Sequence, residues 1–585
     1  MRCWIFWTSK RAWATASPSL AGCPAGSSGS KAAPLPSRRR LADRPAFFLH
    51  TPVLRPMTKQ RRVTIVGGGP GGLCTAMLLA YRGFAVTLLE KRSSVGGRTG
   101  GFRRDGYTFD VGSTLLMMRF VVEEMYELVG RRLADHLRIV PIDPMYRLDF
   151  GDRSLNVSSD ASRMEDELQR FAPSSRRSLQ SFLRSERNRL SHLYPMLQRE
   201  WSGLRRLVSP SLVTALPHVG LRRSIHDVAG QYFSDPDIQL AFSFQSAYLG
   251  MSPWSCPAGF AMVPYVEHAW GIDHIEGGIH QLTRSMEEIA MGLGVHIRRE
   301  CCARRLIGDK RHCRAVELAS GERIETDDVV INADAVAALL GMLDDNVSLR
   351  FCRPRLRRMR ESCSTFMLYL GLDTRLALDH HTFFFAADYR AEMDRVFGSR
   401  TLADDFSLYV CNPSATDSTM APPGHSALYV LALVPNTRAD IDWRTRAPQL
   451  REQILDRLER RASASIRPHI QVSEQMTPTD WADRYHVSHG AVFGLSHSID
   501  QMLAFRLPNR LPAPRNVYLT GGSTSPGSGL PTILESARIA ARLICERHGV
   551  FFPPPRPLPP PGGHRPQEVW VPGPASFSAE GSHQA

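Results

Sequence analysis

The apolar positions of this chain fall into short β-branched runs that alternate with stretches of helical length. Residues 63–66 form such a run, the pattern of a strand covered on both faces in a parallel sheet. Residues 73–81 follow as a helix closed by Gly83, and 84–89 as a second strand. The alternation returns farther on. Residues 282–291 predict a helix leading to a strand at 295–298. A two-stranded excursion then turns near Gly321 and Glu322, and 328–333 is another strand. Residues 516–520 predict a strand, and 532–545 a helix. In between, 365–370 and 427–433 carry β-branched and aromatic residues at strand spacing.

Composition narrows the class. The 585 residues are 43% hydrophobic and 22% charged, a globular balance. No uncharged apolar run nears the ~18 residues of a membrane-spanning helix. The net charge is +15, but residues 1–56 supply +8 of it, so the body is only mildly basic and no nucleic-acid partner is expected. The eleven cysteines include no CxxC pair and no zinc-ligand spacing, which points to a reducing compartment and to no metal. Residues 1–56 are rich in Ala, Ser, Pro and Arg, either as an organelle transit peptide or as translation assigned too far upstream of Met57. Residues 551–585 hold ten prolines and predict an extended, disordered tail.

Candidate chemistry sits at the ends of the strands. Gly67, Gly69 and Gly72 satisfy GxGxxG between a strand and a helix, with Pro70 and Gly71 inside the motif. Gly67 permits the turn, Gly69 lets backbone approach a pyrophosphate, and Gly72 lets helix and strand pack closely. The helix N-terminus then offers free N–H groups to the phosphates. Glu90 ends the next strand eighteen residues after Gly72, placed to accept hydrogen bonds from ribose hydroxyls. Lys91 follows it, and Gly96-Gly97-Arg98 forms a second glycine loop. Near the other end, Gly521, Gly522, Gly529, Leu530 and Pro531 again place a glycine loop between a strand and a helix. Two such loops bracketing some 450 residues predict one cofactor domain built from both ends of the chain. The fold class is therefore α/β. A Rossmann-like domain from 57–102, 274–335 and 505–550 is expected beside a mixed-sheet substrate domain from 103–273 and 336–504.

The spacing of Glu90 from Gly96-Gly97-Arg98 resembles flavin amine oxidases and carotenoid desaturases, where this second loop runs along the FAD pyrophosphate. From about Arg62 to Arg547 the chain resembles the bacterial and fungal type of phytoene desaturase. The segments 106–114, 241–246, 407–417, 420–425 and 429–435 carry that likeness. Ser525 stands where the family commonly has His, 507–510 lacks a His often seen before Asn-Arg, and Ser113 replaces a frequent Pro. The resemblance implies FAD as cofactor, held by Gly67, Gly69, Pro70, Gly71, Gly72, Glu90, Lys91, Gly97, Arg98, Gly521, Gly522, Gly529, Leu530 and Pro531. It further implies that the strand near 301–303 contacts adenine through its backbone, and that Arg223 lies near the flavin.

The activity implied is desaturation of phytoene or a related polyene. A hydride passes to the flavin and a proton leaves the neighbouring carbon, with quinone or oxygen reoxidising the cofactor. Glu267 and His268 are candidate proton acceptors, and no base is assigned. Carotene isomerases, terminal-methyl carotenoid oxidases and a non-catalytic prenyl-lipid carrier share parts of this pattern. Residues 187–223 interleave seven Arg with Leu, Tyr and Trp, fitting either a lipid interface or a solvated helical face over a core. A membrane-dwelling substrate favours the first, with about 160–250 as the membrane-facing part. The expected location is the cytoplasmic surface of a membrane, or a plastid or other organelle if 1–56 is a transit peptide.

Overall fold

The computed structural model describes residues 60–201, 210–220, 222–343 and 352–562. The extension at 1–56 and the end of the Pro-rich segment lie outside them.

Five strands form a parallel sheet in the order Val517–Leu519, Asp328–Ile331, Arg62–Val66, Ala85–Leu89, His296–Arg298. They come from three distant stretches of chain. Parallel strands cannot be joined by hairpins, so each is reached by a long crossover. One face is covered by the helices Pro70–Ala80, His280–Gly292 and Leu530–Arg547, whose apolar residues share one core with Val63, Ile65, Val86 and Leu88. The opposite face packs against a three-stranded antiparallel sheet spanning 303–325. Burial on both faces explains why these strands read as continuous apolar runs.

The second sheet has seven strands, ordered Ile470–Met476, Ser364–Leu372, Ser426–Val434, Leu408–Cys411, His381–Phe384, Tyr146–Asp149, Ser154–Val157. All neighbours are antiparallel except His381–Phe384 with Tyr146–Asp149, so the sheet is mixed. Side chains alternate between its faces. Phe366, Leu368, Leu370 and Leu372 join Leu428, Val430 and Ala432 under the helix Trp443–Ala462. Met367, Tyr369 and Tyr429 point the other way, into an aromatic core. That second face turns toward the site.

Residues 225–241 hold two short helices, Ile225–Ala229 and Pro236–Ala241, because Asp235 accepts the Asp237 and Ile238 N–H groups and Pro236 opens a new helix. One expectation is corrected. The Pro-rich tail is anchored as far as 562. Phe552 is buried under the Arg82 guanidinium, 4.1 Å from its ring centroid, and the Arg556 N–H donates to Glu124 Oε1 at 3.1 Å. In the basic stretch, Leu190, Leu193, Tyr194, Met196, Trp201 and Leu212 face inward and form a core with Trp270. Those apolar residues are thereby turned away from the surface.

Candidate active site

The turn between Arg62–Val66 and Pro70–Ala80 floors a cavity of about 550 Å³. Gly67 has φ of 101°, and a Cβ there would lie 2.5 Å from the Asn332 carbonyl oxygen. A Cβ on Gly72 would lie 2.1 Å from the Gly67 oxygen, so the helix can start this close to the turn only with glycine. Gly71 is equally tight, 2.6 Å from Asn332 Oδ1, and neither Gly71 nor Gly72 lines the cavity. Gly69 and Pro70 do. A Cβ on Gly69 would meet only Asn332 Nδ2, at 3.1 Å. Gly69 is also the N-cap and supplies no side-chain cap, which leaves the first-turn N–H groups for an anion.

Glu90 is buried at the end of the next strand. The Gly68 N–H donates to its Oε2 at 2.8 Å and the Arg92 N–H to its Oε1 at 2.9 Å. Each oxygen keeps accepting capacity toward the cavity that Glu90 lines. Lys91 lines it too, its pKa lowered by burial, as do Cys301, Cys302 and Ala303.

The second and third glycine loops close the other end. Gly97 brings its backbone against Gly69, and Arg98 donates to the Val492 carbonyl. Burial lowers the Arg98 pKa, and the nearby Asp334 carboxylate opposes that shift. Gly522 lies so near that a Cβ on it would stand 3.9 Å from Arg98 Nη2. Gly521, with φ of 104°, Gly522, Gly529 and Leu530 all line the cavity. Gly529 caps Leu530–Arg547 without a side chain, leaving a second uncapped helix start in the same wall.

A smaller cavity of about 210 Å³ adjoins the first. Ser113, Tyr248, Tyr429, Leu431, Phe493 and Leu530 line both. Phe244, Phe383, Phe385, Tyr389, Tyr409 and Pro531 help complete the smaller one, and among the described residues no Asp, Glu, Lys, Arg or His lines it. Behind Tyr248 stands Glu267, fully buried. Tyr146 and Gln245 Nε2 both donate to Glu267 Oε2, at 2.8 Å and 3.1 Å, and the buried Tyr248 hydroxyl interacts with the same carboxylate. Burial raises the Glu267 pKa to about 7. His268 is turned away. Its Nδ1 meets the Ser158 carbonyl at 3.1 Å, its ring stacks on Phe242, and burial lowers its pKa to about 4.

Of the residues singled out in the sequence, Arg223 and His268 fall outside this arrangement, and Arg223 lies at the surface. It is exposed and lines neither cavity, because its backbone is tied to Gly220 and Ala258 at the surface end of the helical segment. Other residues enter that periodicity did not mark. Asn332 donates from Nδ2 to the Gly67 carbonyl at 3.1 Å and wedges the first loop open. Asp334 accepts from Ser523 Oγ at 3.1 Å and from the Ala337 N–H at 3.0 Å. Arg506, buried with no acidic partner among the described residues, donates to the carbonyls of Gly522 at 2.7 Å and Thr524 at 3.0 Å. His497 Nε2 accepts the Ser528 N–H at 3.1 Å. A polar residue closing an apolar strand was the one available signal, and only Asn332 gave it.

The family model for flavin-containing amine oxidoreductases matches residues 70–545. The chain belongs to that family. It is an FAD-dependent oxidoreductase. Its glycine floor, its two uncapped helix starts and Glu90 suit an elongated dinucleotide carrying a diphosphate. Within the family it belongs with the phytoene desaturases. It is 44% identical to a 4,4'-diapophytoene desaturase (4,4'-diapolycopene-forming) of Methylomonas sp, over 85% of this chain and 97% of that one. It is 36% identical to a zeta-carotene-forming phytoene desaturase of Myxococcus xanthus, over 84% and 94%. It is 32% identical to a phytoene desaturase of Neurospora crassa, over 83% and 85%. A putrescine oxidase structure shares the fold, with a TM-score of 0.57 at 14% identity over 83% and 98%. So does an oxidoreductase of Methanosarcina mazei, with a TM-score of 0.57 at 13% identity over 83% and 100%.

Proposed function

We propose that this oxidoreductase desaturates a linear polyene hydrocarbon of the phytoene or 4,4'-diapophytoene type. The observation that carries this reading is the chemistry of the smaller cavity. It opens beside the flavin-binding loops and holds no carboxylate, Lys, Arg or His among its described lining residues. An ammonium substrate would favour an anionic partner there, whereas a hydrocarbon needs only aromatic and aliphatic walls.

FAD, held by the residues around the larger cavity, supplies a two-electron acceptor for hydride, which no side chain provides. The protein's own part is to hold the chain, exclude water and take the proton. Phe244, Phe383, Tyr389 and Phe493 clamp the hydrocarbon, and each fully buried CH₂ contributes about 0.8 kcal/mol to its binding. Tyr248 lines both cavities, and its phenol interacts with the Glu267 carboxylate behind it. It accepts the proton leaving the substrate carbon and passes its own to Glu267 Oε1. The carboxylate is held ready by Tyr146 and Gln245.

A substrate dissolved in lipid brings the protein to a membrane surface. The exposed Arg222 and Arg223 beside the half-exposed Leu216 support the helical part at about 160–250 as the side that meets it. Quinone or oxygen takes the electrons onward. Expression in hosts accumulating phytoene or 4,4'-diapophytoene, followed by pigment chromatography, tests the assignment. Products with lengthened conjugation and no added oxygen are expected. Colourless cells containing flavin-loaded protein would overturn it.

A further inference from the structure

Three side chains outside the flavin cavity meet inside the seven-stranded sheet. His381 and Cys411 are direct partners across an antiparallel pair, so their side chains leave the sheet on one face. His380 precedes that strand. Its carbonyl accepts the Asn412 N–H at 2.8 Å, and its ring centroid lies 4.4 Å from that of His381. One ligand-capable atom from each of the three lies within 4.8 Å of the others. All three residues are buried, and Cys411 is in no disulfide.

The hydrogen bonds show which nitrogens are open. His380 Nδ1 pairs with Thr416 Oγ1 at 2.6 Å, and that hydroxyl also approaches the Pro413 carbonyl at 3.4 Å. His380 Nε2 is buried and has no partner among the described residues. His381 Nδ1 pairs with the Tyr409 hydroxyl at 2.9 Å, and its Nε2 is likewise buried and unpartnered. Buried polar atoms are nearly always paired. An imidazole whose Nδ1 is fixed by an oxygen while Nε2 stands open is the arrangement that outer hydrogen bonds impose on metal-ligating histidines.

We propose that His380, His381 and Cys411 form a three-ligand site for a thiophilic d10 metal ion, Cu(I) or Zn(II). Two imidazoles and a sulfur do not suit calcium or magnesium, which take oxygen ligands. Asp417, the carboxylate beside the cluster, is bonded to His274 at 2.8 Å, and the His274 ring lies edge-on to His380. Binding replaces the Cys411 S–H by a metal–sulfur bond and releases one proton to solvent. With Cu(I) the thiolate cancels the metal charge, whereas Zn(II) leaves one positive charge in an apolar core, so Cu(I) is the better-matched ion. The ion would sit behind Tyr409, whose hydroxyl joins His381 to Thr114 on the wall of the smaller cavity. Its role is to fix that wall.

The test uses full-length, flavin-loaded protein purified without chelators. Metal content is measured by mass spectrometry as isolated, after Cu(I) loading against a competing chelator, and after Zn(II) loading. One copper or zinc per chain is expected, with X-ray absorption showing one sulfur and two imidazole neighbours. Cys411→Ala, His380→Asn and His381→Asn should each weaken binding by at least about a hundredfold while flavin absorbance, which reports the fold, persists. Flavin-loaded wild-type protein that takes up neither ion would overturn the proposal. So would a bound ion lacking a sulfur neighbour, and that outcome needs no variant to fold. Neither result bears on the desaturase assignment.

Discussion

Glu267 is the residue on which the proposed chemistry turns. It acts as a base only when ionised, so desaturation should rise with pH through about 7. Glu267→Gln should lower single-turnover desaturation by about a hundredfold and flatten that rise, with flavin content unchanged. The same group shapes stability. Its folded pKa of about 7 lies above the ordinary 4.5, so the folded state binds the extra proton and loses stability as pH climbs between those values. In Glu267→Gln that part of the slope should vanish from pH-dependent thermal unfolding. Gly69 gives a second test. A side chain there points into the larger cavity, so Gly69→Glu should fold, by circular dichroism, yet purify without flavin colour. Gly72 behaves differently, since even one methyl would collide with the Gly67 carbonyl oxygen.

At the scale of elements, the two helices Pro70–Ala80 and Leu530–Arg547 both begin uncapped at the larger cavity. Local pattern revealed both, because a strand, a glycine turn and a helix start are neighbours in sequence. What fixes the glycine loop ahead of Leu530–Arg547 was hidden. Arg506 donates to five backbone carbonyls, of Leu495, Ser496, Gln501, Gly522 and Thr524. Burial lowers its pKa only to about 10, so it stays charged. Arg506→Met would strand those carbonyls away from water. It should cost about 3 kcal/mol, read as a lower Tm, and should speed flavin dissociation. No spacing rule announces such a residue, since its partners belong to two segments that only folding brings together. Arg223 illustrates the reverse error. Its neighbours in sequence resembled a flavin site, but the turn before Ile225–Ala229 leaves it exposed.

At the scale of the whole molecule, charge and cavity geometry govern encounter with substrate. If the helical part meets the bilayer, the protein should float with anionic vesicles at low salt and detach as salt rises past a Debye length of about 8 Å. A chain beginning at Met57, lacking the +8 of the extension, should keep that behaviour if the body carries the binding surface. Among the described residues no helix is long and apolar enough to cross a membrane. Sequence alone determined the parallel strands, the three glycine loops, Glu90 and the flavin they hold, because turn geometry and helix starts are encoded within a few consecutive residues. It could not show that strands from three distant segments lie side by side. Nor could it place Tyr248, Tyr429 and Leu530 where two cavities join, leave Glu267 dry behind them, or set His381 opposite Cys411. Those juxtapositions are decided by strand order and register, which bury groups far apart along the chain against one another and so set their partners, their charge and their chemistry.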